Sequence, residues 1–275
     1  MRNKKGSIVV FVVVLLLAAI YLSPLYFTFI SAFKTNGEIM KDPVALPDSF
    51  FNLENFKYLL EKTDYPKAFL NSTILTVISE ILILVFIPMA AYGIERGYKK
   101  VTNVIYMYFL MSMMVPFQAY MIPLFRQMKF MGLFGTIAGP IVIYLAGAIA
   151  FGSLLFTSFL KGIPIEIEEA ARIDGAGNLR TFWSIVFPLL KPVTATMIVL
   201  NGLGIWNDFL MPMLVLPAGE PKTVNVEIFA FVDQFASRWD IVFAGVVAGI
   251  IPVLIVFLSL QQYFVKGITA GAAKG

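Results

Sequence analysis

Cysteine and histidine are both absent from this 275-residue chain. Without thiols there are no disulfides, no thiolate nucleophiles and no zinc-thiolate sites, and without imidazole the commonest general base, proton switch and metal ligand is missing. Most hydrolytic chemistry goes with them, and no metal site is expected. Charge is scarce as well. Charged residues make up 14% and apolar residues 59%, against about 25% and about 45–50% in a soluble domain. The net charge of +4 is too small and too scattered for a nucleic-acid-binding face, so no nucleic-acid partner is expected. No stretch reads Gly, four residues, Gly-Lys-Ser/Thr, so the chain has no nucleotide-binding loop of its own. Nor does a repeat or a low-complexity segment stand out.

What is present is long apolar sequence. A bilayer core about 30 Å thick needs roughly 20 apolar residues at 1.5 Å each. Six windows qualify: Gly6 to Phe33, Ala68 to Ile94 around Glu80, Val101 to Phe125, Phe130 to Leu160, Pro192 to Gly219 around Asp208, and Ile241 to Val265. Trimmed to helix length, the spans are expected at 8–31, 70–94, 101–125, 134–160, 192–216 and 241–265 of a single membrane domain, 1–275. The first window follows Arg2, Lys4 and Lys5, but it outruns the 7–15 residues of a typical signal-peptide core, which predicts an uncleaved helix. The fold class is therefore an all-α membrane protein with the lipid bilayer as its main surroundings.

An even number of spans places both termini on one side. With the N-terminus inside, the inner segments carry 12 Lys and Arg and the outer segments 9, over longer loops. This bias predicts cytoplasmic termini. Two outer segments are long enough to have structure. In Ala32 to Lys67, the spacing of Leu53, Phe56, Tyr58, Leu59 and Leu60 predicts one short amphipathic helix against the membrane face. Glu220 to Asp240 mixes Val224, Val226, Ile228, Phe229 and Phe231 with polar residues, for partner contacts or for packing on neighbouring helix ends.

The inner connection 161–191 differs from its short counterparts. Pro164 suits a first helical position, and Glu166, Glu168 and Glu169 follow where carboxylates favour the positive end of the helix dipole. Gly175 and Gly177 are expected to supply positive-φ positions that stop this helix. Asn178 is expected to cap a second one, in which Leu179, Phe182 and Val186 recur at helical spacing. The plainer alternative for Glu168 is a surface pair with Arg172 four residues on, worth about 0.3–0.5 kcal/mol.

Glu169-Ala170-Ala171, then Gly175, Ile185 and Pro188, resembles the cytoplasmic loop of ABC importer permeases, with Phe187 where Leu is usual. Trp206-Asn207-Asp208-Phe209 and the tail Tyr263 to Gly275 are similar to the carbohydrate-uptake branch, in particular to the second, shorter permease of maltose-type systems. The resemblance covers nearly the whole chain. It implies a type I importer architecture in the cell (inner) membrane, with 161–191 as a coupling loop that docks on a separate ATP-binding subunit dimer through Glu169, Ala170, Ala171 and Gly175. It also implies a second, homologous permease subunit forming a heterodimer, an extracytoplasmic sugar-binding protein, and ATP with Mg held by the ATPase rather than by this chain. The chain itself would not be an enzyme.

Polar side chains in hydrocarbon are costly and tend to face a protein interior or a wet cavity. Glu80, Asn201, Asn207 and Asp208 are therefore candidates, with Trp206 beside them as an aromatic face for a sugar. They line a pathway or contact substrate in one reading, and join helices or gate in the other. Pro88, Pro116, Pro123, Pro212 and Pro252 are candidate kinks. An ion-coupled carrier using Glu80 and Asp208 is the alternative function, but it leaves the Glu-Ala-Ala loop unexplained. An intramembrane protease is a third class. Its aspartyl form needs two buried Asp and only Asp208 qualifies; a His-based serine form is impossible here.

Overall fold

The computed structural model describes residues 4–216, 221–234 and 238–272, and among them there are helices and turns but no strand. The described residues of Met1–Lys67 with Val224–Ile251 gather into one compact unit, and those of Ala68–Thr223 with Pro252–Gly275 into another.

In the first unit, α1 (Lys4–Ser31) is apolar on every side, and every residue from Val9 to Tyr26 is exposed, with burial beginning only at Ile30 and Ser31. Such a helix suits a lipid surrounding, where nothing rewards an amphipathic pattern. After it the chain folds back. Thr35 and Glu38 form a reciprocal capping box at the start of α2 (Asn36–Lys41). Thr-x-x-Glu is a readable signal for a helix start that the expectation of one outer helix overlooked. The expected helix is present as α3 (Glu54–Lys62), with Asn55 and Leu59 inward. Asn55 donates to the carbonyls of Ala32 and Lys34, and the buried Lys34 ammonium donates to those of Asp42 and Pro43. The second outer segment holds α13 (Val224–Gln234), so its apolar residues are helical rather than a loop. Residues 217–220 and 235–237 of that region lie outside the described residues.

The second unit is built on α4 (Tyr65–Arg96), α7 (Ala138–Leu160) and α11 (Lys191–Asn207). Ile83, Ile87 and Ala91 of α4, Phe156 and Leu160 of α7, and Val193 and Met197 of α11 share one buried cluster. Gly152 is the closest approach: a Cβ there would lie 2.7 Å from Ile87 and from Met197. Small residues let membrane helices approach closely where there is little hydrophobic drive to do so.

Six spans were expected, and the helices give four straight ones and two bent pairs. The first, second and sixth fall within α1, α4 and α14 (Trp239–Ala272), and the fourth matches α7, which begins four residues later than expected. The third is not one continuous helix. α5 (Lys99–Ser112) and α6 (Phe117–Phe130) meet at 102°, with Pro116 at the break. Proline lacks an N–H and drives the preceding residue out of the helical region. By contrast α4 continues through Pro88, α6 through Pro123 and α14 through Pro252. The fifth span is also corrected: α11 ends at Asn207, Asp208 is extended (φ −70°, ψ 131°), and α12 (Leu210–Val215) follows. The tail is helical to Ala272, and Ala273 to Gly275 lie outside the described residues.

Candidate functional site

The inner connection folds as α8 (Glu166–Ile173), a turn, and α9 (Asn178–Thr181). α9 continues through a π-helical turn at Phe182–Val186 and α10 (Phe187–Leu189), and this run meets α11 at 77°. Three acidic residues in the first turn of α8 and Arg172 in its last complement the helix dipole. Gly175 has φ +83°, and a Cβ built there would meet nothing within 4 Å. It makes the turn and faces open space. Gly177 differs from expectation: its φ is −72°, extended backbone that any residue adopts, and it takes the capping place expected of Asn178, which is the first helical residue.

On α8, Glu169 and Ala170 are exposed. Ala171, grouped with Glu169 and Ala170 as a docking residue from the sequence, is only 6% exposed and lies on the inner side of α8. Ile173 is 87% exposed and Leu179 65%, so the open face of the connection carries large apolar side chains among its charged ones.

Glu168 is fully buried, which disposes of the surface pair with Arg172. One of its oxygens accepts from Arg96 Nε at 2.8 Å and the other from the Tyr92 hydroxyl at 2.6 Å. The Arg96 guanidinium also donates from Nη2 to the carbonyls of Ile163 (2.9 Å) and Leu160 (3.3 Å). Arg96 and Tyr92 were not among the residues singled out in the sequence. Nothing local marks them, because their partner lies more than seventy positions away.

The intramembrane polar residues separate into two places. Glu80 is 8% exposed, and neither carboxylate oxygen has a hydrogen-bond partner among the described residues. It borders a cavity of about 160 Å³ with Thr76, Gly202, Trp206 and Pro252. Thr76 Oγ1 is likewise unpartnered, and Trp206 rests edge-on against Phe69 at 5.6 Å. Glu80 and Trp206 thus border the same cavity. Asp208 does not border it. One Asp208 oxygen accepts from the Tyr144 hydroxyl at 2.9 Å and the other from the Met211 N–H at 3.2 Å, so this carboxylate ties the α11–α12 break to α7. Asn201 contacts Met197 Sδ at 2.9 Å within its own helix, and Asn207 is exposed. Glu80 and Asp208 therefore do not form a two-carboxylate ion site. Among the described residues no cluster of three His, Cys, Asp or Glu is placed to hold a metal.

The model for the family described as binding-protein-dependent transport system inner membrane component matches residues 87–270. Similar curated proteins extend over nearly the full chain. AmyC of Thermoanaerobacterium thermosulfurigenes, a probable starch degradation products transport system permease protein, is 38% identical, covering 94% of this chain and 94% of its own length. MsmG of Streptococcus mutans, a multiple sugar-binding transport system permease protein, is 37% identical, with 92% of each covered. MelC of Bacillus subtilis, a melibiose/raffinose/stachyose import permease protein, is 33% identical, with 96% of each covered. Among solved structures, a chain of a bacterial ABC transporter involved in import of the acidic polysaccharide alginate superimposes with a TM-score of 0.84 at 26% identity, covering 96% of this chain and 98% of that one.

Proposed function

This chain belongs to the family of binding-protein-dependent transport system inner membrane components, and from that premise we propose that it is the transmembrane subunit of an ATP-driven saccharide importer. Its relatives' names, for starch degradation products, multiple sugars and raffinose-type oligosaccharides, support a saccharide as cargo. Residues 1–275 act as one transmembrane domain with both termini cytoplasmic. Residues 161–191 dock on an ATPase dimer that holds ATP and Mg. A homologous second permease completes the passage, and an extracytoplasmic binding protein delivers the sugar. Glu80, Asn201, Trp206, Asn207 and Asp208 belong to the passage or its gates.

One observation carries this reading, namely the open face of the inner connection. Ile173 and Leu179 are apolar yet exposed on a segment that lies between membrane spans, beside the exposed Glu169 and Ala170. An apolar patch rimmed by charge is what a docking surface requires. Glu169 can accept a charge-assisted hydrogen bond from a partner's cation. Gly175 keeps the turn tight without bulk.

The test is purification of the intact complex, identification of its soluble subunits and bound small molecule, and uptake measurements in proteoliposomes. Uptake should require ATP. Gly175→Trp adds bulk into open space and strains a positive-φ position, and Glu169→Lys turns attraction into repulsion. Both should abolish uptake and stimulated ATP hydrolysis while this chain remains at normal levels in the membrane. Normal transport by both variants with the ATPase still bound would remove the docking role. Uptake driven by an ion gradient instead of ATP would replace the importer reading with a secondary carrier.

A further inference from the structure

α8 has only eight residues, too few to hold its position by helix formation alone. It enters after Pro164 and leaves through the positive-φ turn at Gly175. A push delivered to such a segment is lost in tilting unless something fixes it to a membrane span. The geometry points to Glu168, Arg96 and Tyr92 as that fixture. We infer that they form a strut, a set of positioning residues that transmits displacement of the inner connection to α4 and α7. The inference rests on the importer reading above and deepens it.

The atoms support a strut rather than a loose contact. Tyr92 and Arg96 are one helical turn apart on α4, and both grip the same carboxylate, one on each oxygen, at 2.6 and 2.8 Å. Glu168 therefore holds α8 against two successive turns of α4. Through Nη2, Arg96 reaches the carbonyls of Leu160, the last residue of α7, and Ile163 beyond it. One guanidinium thus joins the ends of α4 and α7 to the start of α8. The Tyr92 ring lies 5.1 Å from Phe182, on the π-helical turn that leads into α11. Charge-assisted hydrogen bonds to a fully buried carboxylate are short and directional, which suits load transfer. Arginine is needed because its planar fork donates in two directions, whereas a lysine offers a single point. Glu169, the neighbouring carboxylate, faces outward and is free for a partner. Two adjacent glutamates thus divide the work, one facing out and one holding inward.

The strut predicts uncoupling rather than loss of docking. The measurement is sugar imported per ATP hydrolysed by the whole complex in proteoliposomes, together with size-exclusion analysis of its assembly. Glu168→Gln should lower that ratio by about tenfold, in the usual range for coupling between sites, with ATP hydrolysis still stimulated by the loaded binding protein. Arg96→Lys should give an intermediate ratio. The cysteine-free sequence allows a further readout. Tyr92→Cys with Glu168→Cys should be uncoupled as made, recover when bridged by a cleavable bis-thiosulfonate linker, and lose coupling again on reduction. A merely structural role would not follow the linker. Wild-type ratios in assembled Glu168→Gln and Arg96→Lys complexes would overturn the strut and leave the importer reading standing. Loss of the ATPase from these complexes would overturn it too, by making Glu168 part of docking. A wild-type complex that imports no saccharide on ATP would instead defeat the underlying reading.

Discussion

Glu168 and Glu80 are both buried in the second compact unit, and their surroundings are opposite. Glu168 has each oxygen engaged by a donor from α4, and Glu80 has none among the described residues. Glu168 is therefore committed to holding helices together. A buried carboxyl without a partner costs stability, and the cavity shared with Trp206 puts Glu80 where such a cost has a use. The contrast separates a carboxylate held by two donors from one left open beside a cavity.

The largest effect should come from breaking the satisfied member. Arg96→Ala leaves Glu168 buried without its cation, a change that typically costs about 3–5 kcal/mol. It should lower the melting temperature of the purified protein in detergent more than any other substitution discussed. A single cysteine at Ser153, which is buried, can report unfolding through its reaction with a dye. A shift no larger than that of a surface mutation would mean that the pair is not closed in the membrane.

A smaller effect of the opposite sign is expected at the unsatisfied member. Glu80→Gln removes the charge at constant shape, and Glu80→Leu removes the polar group. Neither breaks a hydrogen bond seen here, so stability should be unchanged or higher by about 1–3 kcal/mol, the usual cost of an unmade buried bond. Transport should nonetheless fall. A clear loss of stability would show that Glu80 has a partner in the assembled protein, and unchanged transport would take it off the pathway.

A third carboxylate, in water, sets the lower end of the comparison. Glu38 accepts from the backbone N–H of Asp48 at 3.0 Å and of Thr35 at 2.6 Å. These bonds, that to Asp48 foremost, hold its pKa below the ordinary 4.5, against a smaller opposing effect of burial. A lowered folded-state pKa contributes stability above the unfolded value and loses it as pH falls through the folded one. Proteolysis of the outer segment 32–67 should therefore accelerate modestly below pH 4.5. Glu38→Gln should remove that acid dependence, and an unchanged profile would assign the acid sensitivity to another group.

The all-helical membrane character and the rough position of the long apolar helices were legible in the sequence, because apolar length is set by bilayer thickness and needs no tertiary information. So was the helix, glycine turn and helix of the inner connection, because Pro164, the acidic first turn and Gly175 act locally. One local signal was present and passed over: Thr35 and Glu38 mark the start of α2. Pro116, named among the candidate kinks, marks the break that splits the third span. Asp208 reads as mid-span because it sits among apolar residues, but its backbone leaves the helix and its carboxylate is engaged by Tyr144 and Met211.

Other features have no local signal. Glu168 and Glu169 are adjacent, with equal charge and equal helix propensity, and a helix turns them about 100° apart. Which one is buried depends on where α4 and α7 end, as does the inward turn of Ala171. Sequence by itself determined that this chain crosses a membrane in helices and presents a Glu-Ala-Ala loop between two of them, since both follow from short-range composition and spacing. Only the tertiary structure decided that Glu168 is held, that Glu80 has no partner among the described residues and that Asp208 ties a broken helix to its neighbour. Those outcomes depend on donors brought in from distant positions, and a buried charge is governed by what surrounds it rather than by what precedes it in the chain.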